Sequence, residues 1–271
     1  MIQSLRRTAS IYGAFVAMVP KLFLAYSIWV WMQFITQVIA IVIFVAFWTA
    51  VYAGQAELSG LTLSQTLTYI ILAQLFAPAA HATNAIYQFG HLMREGLIGI
   101  ELLRPVDFQA ASYVNMLGRV GVELVLQLPL ALIAWLLFRF QIPTNPLIWL
   151  AFVVTLLLGN GVIFFFDWML GCIAFYSTEI WGMSILRYGI ALFFSGAFVP
   201  LVMMPDWLHT IANFLPFAQA LYTPVSLLSG ITTLSQMPEI WLRQGILLLG
   251  FGLLSRFVFQ RAVRKVTVQG G

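Results

Sequence analysis

The chain has 271 residues, of which 62% are hydrophobic and only 8% charged, with a formal net charge of +4 and a mean hydropathy of +0.96. A soluble domain carries about a quarter charged residues, so a soluble enzyme or a nucleic-acid-binding protein is excluded and an all-α integral membrane protein is indicated. The length accommodates about six spans of about 20 residues and leaves no room for a folded soluble domain.

Met1 to Val19 alternate Ile2, Leu5 and Phe15 with Ser4, Arg6 and Arg7, and Pro20 then interrupts the chain. This pattern predicts an interfacial helix over residues 1–21, its arginines toward anionic headgroups of the inner leaflet. No compact apolar core with a small-residue cleavage site follows the arginines, so the first span is expected to be retained. A six-helix transmembrane region is expected over 22–260 and a basic cytoplasmic tail over 261–271.

Leu22–Ala53 carries no charge over its 32 residues and would measure about 48 Å as a helix. It is longer than a bilayer core and is expected to begin in the interface. Its Gln33 and Gln37 form a short polar stripe. The second span, Thr66–Phe89, carries Gln74, His81 and Gln88 at seven-residue intervals with Pro78 and Asn84 nearby. Wound as one helix, this places a polar side through the membrane. Such groups are costly against lipid, and two readings fit them: lining of a translocation path, or hydrogen bonds that hold the bundle.

His91 to Pro105, HLMREGLIGIELLRP, is a charged island between apolar runs. As a single helix it sets Arg94, Glu95, Glu101 and Arg104 on one face and Leu92, Met93, Ile100 and Leu103 on the other, with Gly96 and Gly99 on the apolar side and Pro105 ending it. Mixed charges at helical spacing suit a protein groove better than lipid headgroups.

The third span, Ala110–Phe138, holds Arg119, Glu123 and Gln127 at four-residue steps, which predicts an Arg119–Glu123 pair on one helix face. Asp167 in the fourth span (Leu147–Phe175) and Arg187 in the fifth (Trp181–Met204) lie at comparable depth and are expected to pair across helices. Pro205, Pro216 and Pro224 then cut an apolar stretch into pieces too short to span. These are expected to form short re-entrant or interfacial helices on the outer side, before a sixth span at Ile240–Phe259.

With the N-terminus in the cytoplasm, Arg6, Arg7, Lys21, Arg94, Arg104, Arg256, Arg261, Arg264 and Lys265 fall on the cytoplasmic side and only Arg139 and Arg243 outside. The positive-inside rule therefore predicts both termini in the cytoplasm. Cys172 is the single cysteine, so neither an intrachain disulfide nor a thiolate metal site is expected. No HExxH, GxSxG or GxxxxGK[ST] occurs, so the chain has no evident catalytic kit and no phosphate-binding loop of its own. Asp206 and His209 are the one outer acid/base pair, expected to form a surface hydrogen bond.

Three blocks, MREGLIGIELLRP, SGAFVPLVMMPDWLHTIANFLPFAQALYTPVSLLSG and RAVRKVTVQGG, resemble in order and spacing the ABC-2-type permease family, and in particular its small six-span bacterial members without a fused ATPase. The resemblance implies a multi-pass protein of the bacterial plasma (inner) membrane, serving as the permease half of an exporter. It implies two copies of a separate ATP-binding-cassette ATPase, which would hold the ATP and Mg, and a second permease subunit, identical or similar. The coupling role falls by the same resemblance on Arg94, Glu95, Gly96, Glu101, Arg104 and Pro105, with Arg6 and Arg7 as lesser candidates. An ion-coupled secondary transporter, a lipid-modifying enzyme built on Asp206 and His209, and a membrane scaffold are the competing readings.

Overall fold

The computed structural model describes residues 27–177 and 180–265, with Gly13 and Pro20 alone before them. Most of the expected interfacial helix, including Arg6, Arg7 and Lys21, and the tail beyond Lys265 lie outside the described residues. Helical units long and apolar enough to cross a bilayer cover Val30–Val51, Leu63–Arg94, Phe108–Phe138, Pro146–Phe175 and Leu234–Val263.

Helix α1 (Ser27–Val51) leads to a two-stranded hairpin, β1 (Glu57–Leu58) and β2 (Leu61–Thr62), in which Glu57 pairs with Thr62 and Leu58 with Leu61. Ser59 and Gly60 both take positive φ, the turn geometry that matches the twist of a tight hairpin. Thr62 then caps α2 (Leu63–Ala80) in a capping box with Gln65, satisfying first-turn N–H groups that have no helical partner.

The expected second span falls within Leu63–Arg94, but it is not one unbroken helix. Helix α2 ends at His81, three residues after Pro78, and α3 (Ala85–Arg94) begins only after Asn84. Proline removes a helical N–H donor and crowds the preceding turn. The interruption at 81–84 breaks the seven-residue register, so Gln74, His81 and Gln88 do not share one continuous helical face.

The charged island is likewise not a single helix. The chain turns at Gly96, φ +68°, and resumes as α4 (Ile98–Leu103). The Leu97 N–H reaches the Leu92 carbonyl at 2.9 Å and the Gly96 N–H the Met93 carbonyl at 3.3 Å, the paired bonds of a glycine-terminated helix end.

Asp107 caps α5 (Phe108–Leu126), which α6 (Leu128–Phe138) continues, and Asn145 caps α7 (Pro146–Gly171). The expected fifth span is also corrected: α8 (Trp181–Phe194) has 14 residues, about 21 Å, shorter than a bilayer core of about 30 Å. The chain leaves it at Gly196, φ +79°. Helices α9 (Asp206–Phe214), α10 (Pro216–Ala220) and α11 (Tyr222–Leu228) follow, with a 74° bend between Asp206–Phe214 and Pro216–Leu228. The last helix, α12 (Met237–Val263), runs slightly past the expected start of the basic tail.

Residues 216–228 are buried throughout, lodged against the middle of α7. A Cβ at Gly159 would collide with the Gln219 backbone carbonyl, so the two backbones approach to a distance that only glycine permits. Around this contact the Gln244 amide donates to the carbonyl oxygens of Thr155 and Gln219, both at 3.2 Å, and the Trp241 indole N–H to Thr155 Oγ1 at 2.9 Å. Irregular backbone at membrane depth is tolerated where protein satisfies it in this way.

Toward the end of the bundle that carries Gly96, Trp168 of α7 is fully buried among Phe89 of α3 (ring centroids 4.7 Å apart), Phe108 of α5 (5.2 Å) and Phe259 of α12 (5.3 Å). This aromatic cluster joins four helices directly beneath the charged island. Exposed apolar side chains such as Ile39, Ile43, Leu249 and Leu253 dominate α1 and α12, as bilayer or subunit contact requires.

Candidate functional site at the charged end of the bundle

The α3–α4 turn presents Arg94, Glu95, Gly96, Arg104 and Pro105 exposed, with Glu101 half-buried. Glu101 accepts from Arg104 Nη2 at 3.0 Å, so Arg104 and Glu101 are brought together while Arg94 and Glu95 form no ion pair among the described residues. The expected apolar face divides. Leu92 and Ile98 are buried, whereas Leu97, Ile100 and Leu103 are exposed, Leu103 to 86%. An exposed apolar centre rimmed by charges is the composition of a protein interface.

This surface is tied to the last helix. Arg256 Nη2 approaches Asp107 Oδ2 at 2.6 Å, and the Gln109 amide donates to Ser255 Oγ at 2.9 Å. Burial alone would raise the Asp107 pKa, but Arg256 and the Ala110 backbone N–H that Asp107 caps outweigh it and hold the carboxyl below its ordinary value of 3.8. The chain leaving α4 and the basic end of α12 are therefore clamped at one face of the bundle.

Inside the bundle, Asp167 and Arg187 meet in a two-pronged ion pair, with side chains only 4% and 9% exposed. Arg119 and Glu123 do not pair, which corrects the expectation from their spacing. The Gln33 amide donates to Glu123 at 3.0 Å, and Arg119 Nε turns back to Asn115 Oδ1 at 3.2 Å. A neighbouring helix supplied a better-placed donor than the same-helix arginine.

The other polar side chains have gone to separate partners. The Gln37 amide bonds the Gln74 carbonyl, the Gln74 amide the Ala197 carbonyl at 3.0 Å, and the Gln88 amide Ser112 Oγ at 3.4 Å. His81 lies at the helix break with its ring 6.3 Å from that of Tyr188, and neither ring nitrogen has a partner among the described residues. His81, Asp167 and Arg187 line one cavity of about 200 Å³. On α9, His209 sits beside the Asn213 amide at 3.1 Å rather than against Asp206. That expected surface bond is absent among the described residues.

Sequence reasoning missed the break at 81–84, the Asp107–Arg256 clamp and the seat of residues 216–228 on Gly159. Pro78 followed by Asn84 was a readable signal for the first, and Gly159-Asn160-Gly161 within a span for the third. The clamp left no local signal, because its residues stand far apart in sequence.

A family model described as "ABC-2 family transporter protein" matches residues 34–270. No curated protein and no solved structure was found to match the chain.

Proposed function

The chain belongs to the ABC-2 transporter family, and from that membership we propose that it is the membrane permease subunit of an ATP-driven exporter, coupled to a separate ATPase. A multi-pass permease in ABC transport needs an external source of work, and this sequence carries no phosphate-binding loop. In this reading two ATP-binding-cassette subunits hold the ATP and Mg, this chain binds no cofactor of its own, and a second permease, identical or similar, completes the path. The site is the bacterial plasma membrane with both termini cytoplasmic.

The α3–α4 turn carries the proposal: an exposed apolar centre of Leu97, Ile100 and Leu103 within a rim of Arg94, Glu95 and Arg104. Pressure on this surface passes through Phe89 and Phe108 to Trp168, and through Asp107 to Arg256 on α12. A contact made in one nucleotide state and lost in another would bias the helix arrangement by its difference in free energy. Of the polar side chains assigned to the path, His81 has no partner among the described residues, Gln33, Gln37 and Gln74 are bonded across the bundle, and Gln88 bonds Ser112 while lining a cavity.

Co-purification of the ATPase, and loss of permease-stimulated ATP hydrolysis in Glu95→Arg and Leu103→Asp, test the docking assignment. Stimulation and export equal to wild type in both variants would refute it. The helix break at 81–84 and the 74° bend between Asp206–Phe214 and Pro216–Leu228 are discontinuities that would favour an ion-coupled carrier instead. Uphill transport by the chain alone in liposomes under an ion gradient would establish that reading.

A further inference from the structure

Between α3, α4 and α5 lies a cavity of about 300 Å³, at the small end of the range of about 300–1,000 Å³ typical of ligand sites. Arg119, Asn115 and Ser112 of α5 line it opposite Gln88 and His91 of α3, and the Glu101–Arg104 pair of α4 completes the lining. Phe164 contributes apolar lining, and Tyr87, 64% exposed, stands at its edge.

Its charge is unbalanced. Arg104 is matched by Glu101 at 3.0 Å, but Arg119 forms no ion pair among the described residues and is held only by Asn115 at 3.2 Å. Glu123, one turn further along α5, attracts Arg119 through space but accepts its hydrogen bond from Gln33 and makes no direct contact with the guanidinium. An arginine within a membrane helix is rare and costly unless it meets an anion or reaches the headgroup level.

Arg119 lies three turns into α5, about 16 Å from its start. Its bond to Asn115 directs the guanidinium back toward that end, the snorkelling arrangement of a long cationic side chain at an interface. A planar guanidinium with adjacent hydroxyl and amide groups suits a phosphate or carboxylate. The apolar lining and the edge tyrosine, a residue type favoured at headgroup depth, suit a ligand that also carries a tail.

We infer that this cavity binds the anionic headgroup of an amphiphile, with the guanidinium of Arg119 as its counter-ion and Ser112, Asn115 and Gln88 as neutral partners. The inference rests on the chain being membrane-embedded and is independent of the ATPase reading. Arg104 in the lining belongs to the docking surface as well, so an occupied cavity competes with Glu101 for its guanidinium and is felt at that surface.

The experiment uses the full chain in uncharged detergent, without ATPase, and measures binding of dihexanoyl phosphatidylglycerol, dihexanoyl phosphatidylcholine and inorganic phosphate. The expected result is saturable binding of the phosphatidylglycerol, tighter than the zwitterionic lipid by about tenfold, the effect of one charge-assisted contact. Phosphate is expected to bind more weakly still. Arg119→Gln should lose that preference, Arg119→Lys should keep most of it, and Arg139→Gln at the opposite end of α6 should match wild type. Equal affinity for the two lipids, an unchanged preference in Arg119→Gln, or phosphate binding as tightly as the anionic lipid would each overturn the inference. If Arg119→Gln does not fold, the ranking of the three probes on the wild-type chain decides the matter.

Discussion

Arg187 donates from Nε to one oxygen of Asp167 at 2.8 Å and from Nη2 to the other at 2.6 Å, joining α8 to α7. The same guanidinium lies 5.6 Å from the Phe217 ring centre on α10, so one arginine of α8 contacts two further elements. Helix α8 buries few other side chains, Ala191 among them, which makes this pair its main polar tether.

Asp167→Asn should therefore destabilise the protein by about 3–5 kcal/mol, because it leaves a buried guanidinium without its counter-charge. The double variant Asp167→Leu with Arg187→Met should recover most of that loss, since an apolar pair of similar volume avoids the desolvation cost. Thermal unfolding in detergent, followed by tryptophan fluorescence, checks the ordering. A double variant no more stable than Asp167→Asn would refute it.

At Gly159 the prediction concerns space. Alanine there adds helix propensity but drives its Cβ into the Gln219 carbonyl, so residues 216–228 must shift away from α7. A loss of about 1–3 kcal/mol is expected, as for other overpacked sites. Gly250 has open space at its Cβ position, and Gly250→Ala should be neutral or slightly stabilising in the same assay.

The Asp107–Arg256 pair gives a pH dependence. The folded-state pKa of Asp107 lies below its ordinary value of 3.8, so its contribution is fully present above the unfolded-state pKa and is lost as pH falls through the folded one. Asp107→Asn retains the helix cap, because asparagine caps about as well as aspartate, and removes only the charge. The stability difference between wild type and this variant should be constant from about pH 7 to 5 and should shrink toward zero below about pH 4. A difference that grows on acidification would contradict the assignment.

Gly96 and Gly99 separate two kinds of glycine in the docking segment. Both have open space where a Cβ would stand, but only Gly96 has positive φ. Gly96→Ala should cost about 1 kcal/mol at the α3–α4 turn and accelerate amide exchange at Leu97, whose N–H closes the helix end on Leu92. Gly99→Ala should leave exchange at Leu97 unchanged, and an equal effect from the two substitutions would sink the distinction.

The sequence by itself determined the membrane class, most of the spans and the position of the charged island, because hydropathy and charge are properties of local segments. It misjudged continuity. A seven-residue polar period argued for one helix through His81, yet Pro78 and Asn84 broke it, and a regular apolar run past Phe194 hid a turn at Gly196. Only the tertiary structure decided which charges meet. Arg119 and Glu123 had ideal same-helix spacing, but Gln33, 90 residues away, took the carboxylate. Asp107 found Arg256 across the whole fold. A carboxylate is satisfied by whichever donor packing brings within about 3 Å, and that proximity is written in the assembled helices rather than in any stretch of chain.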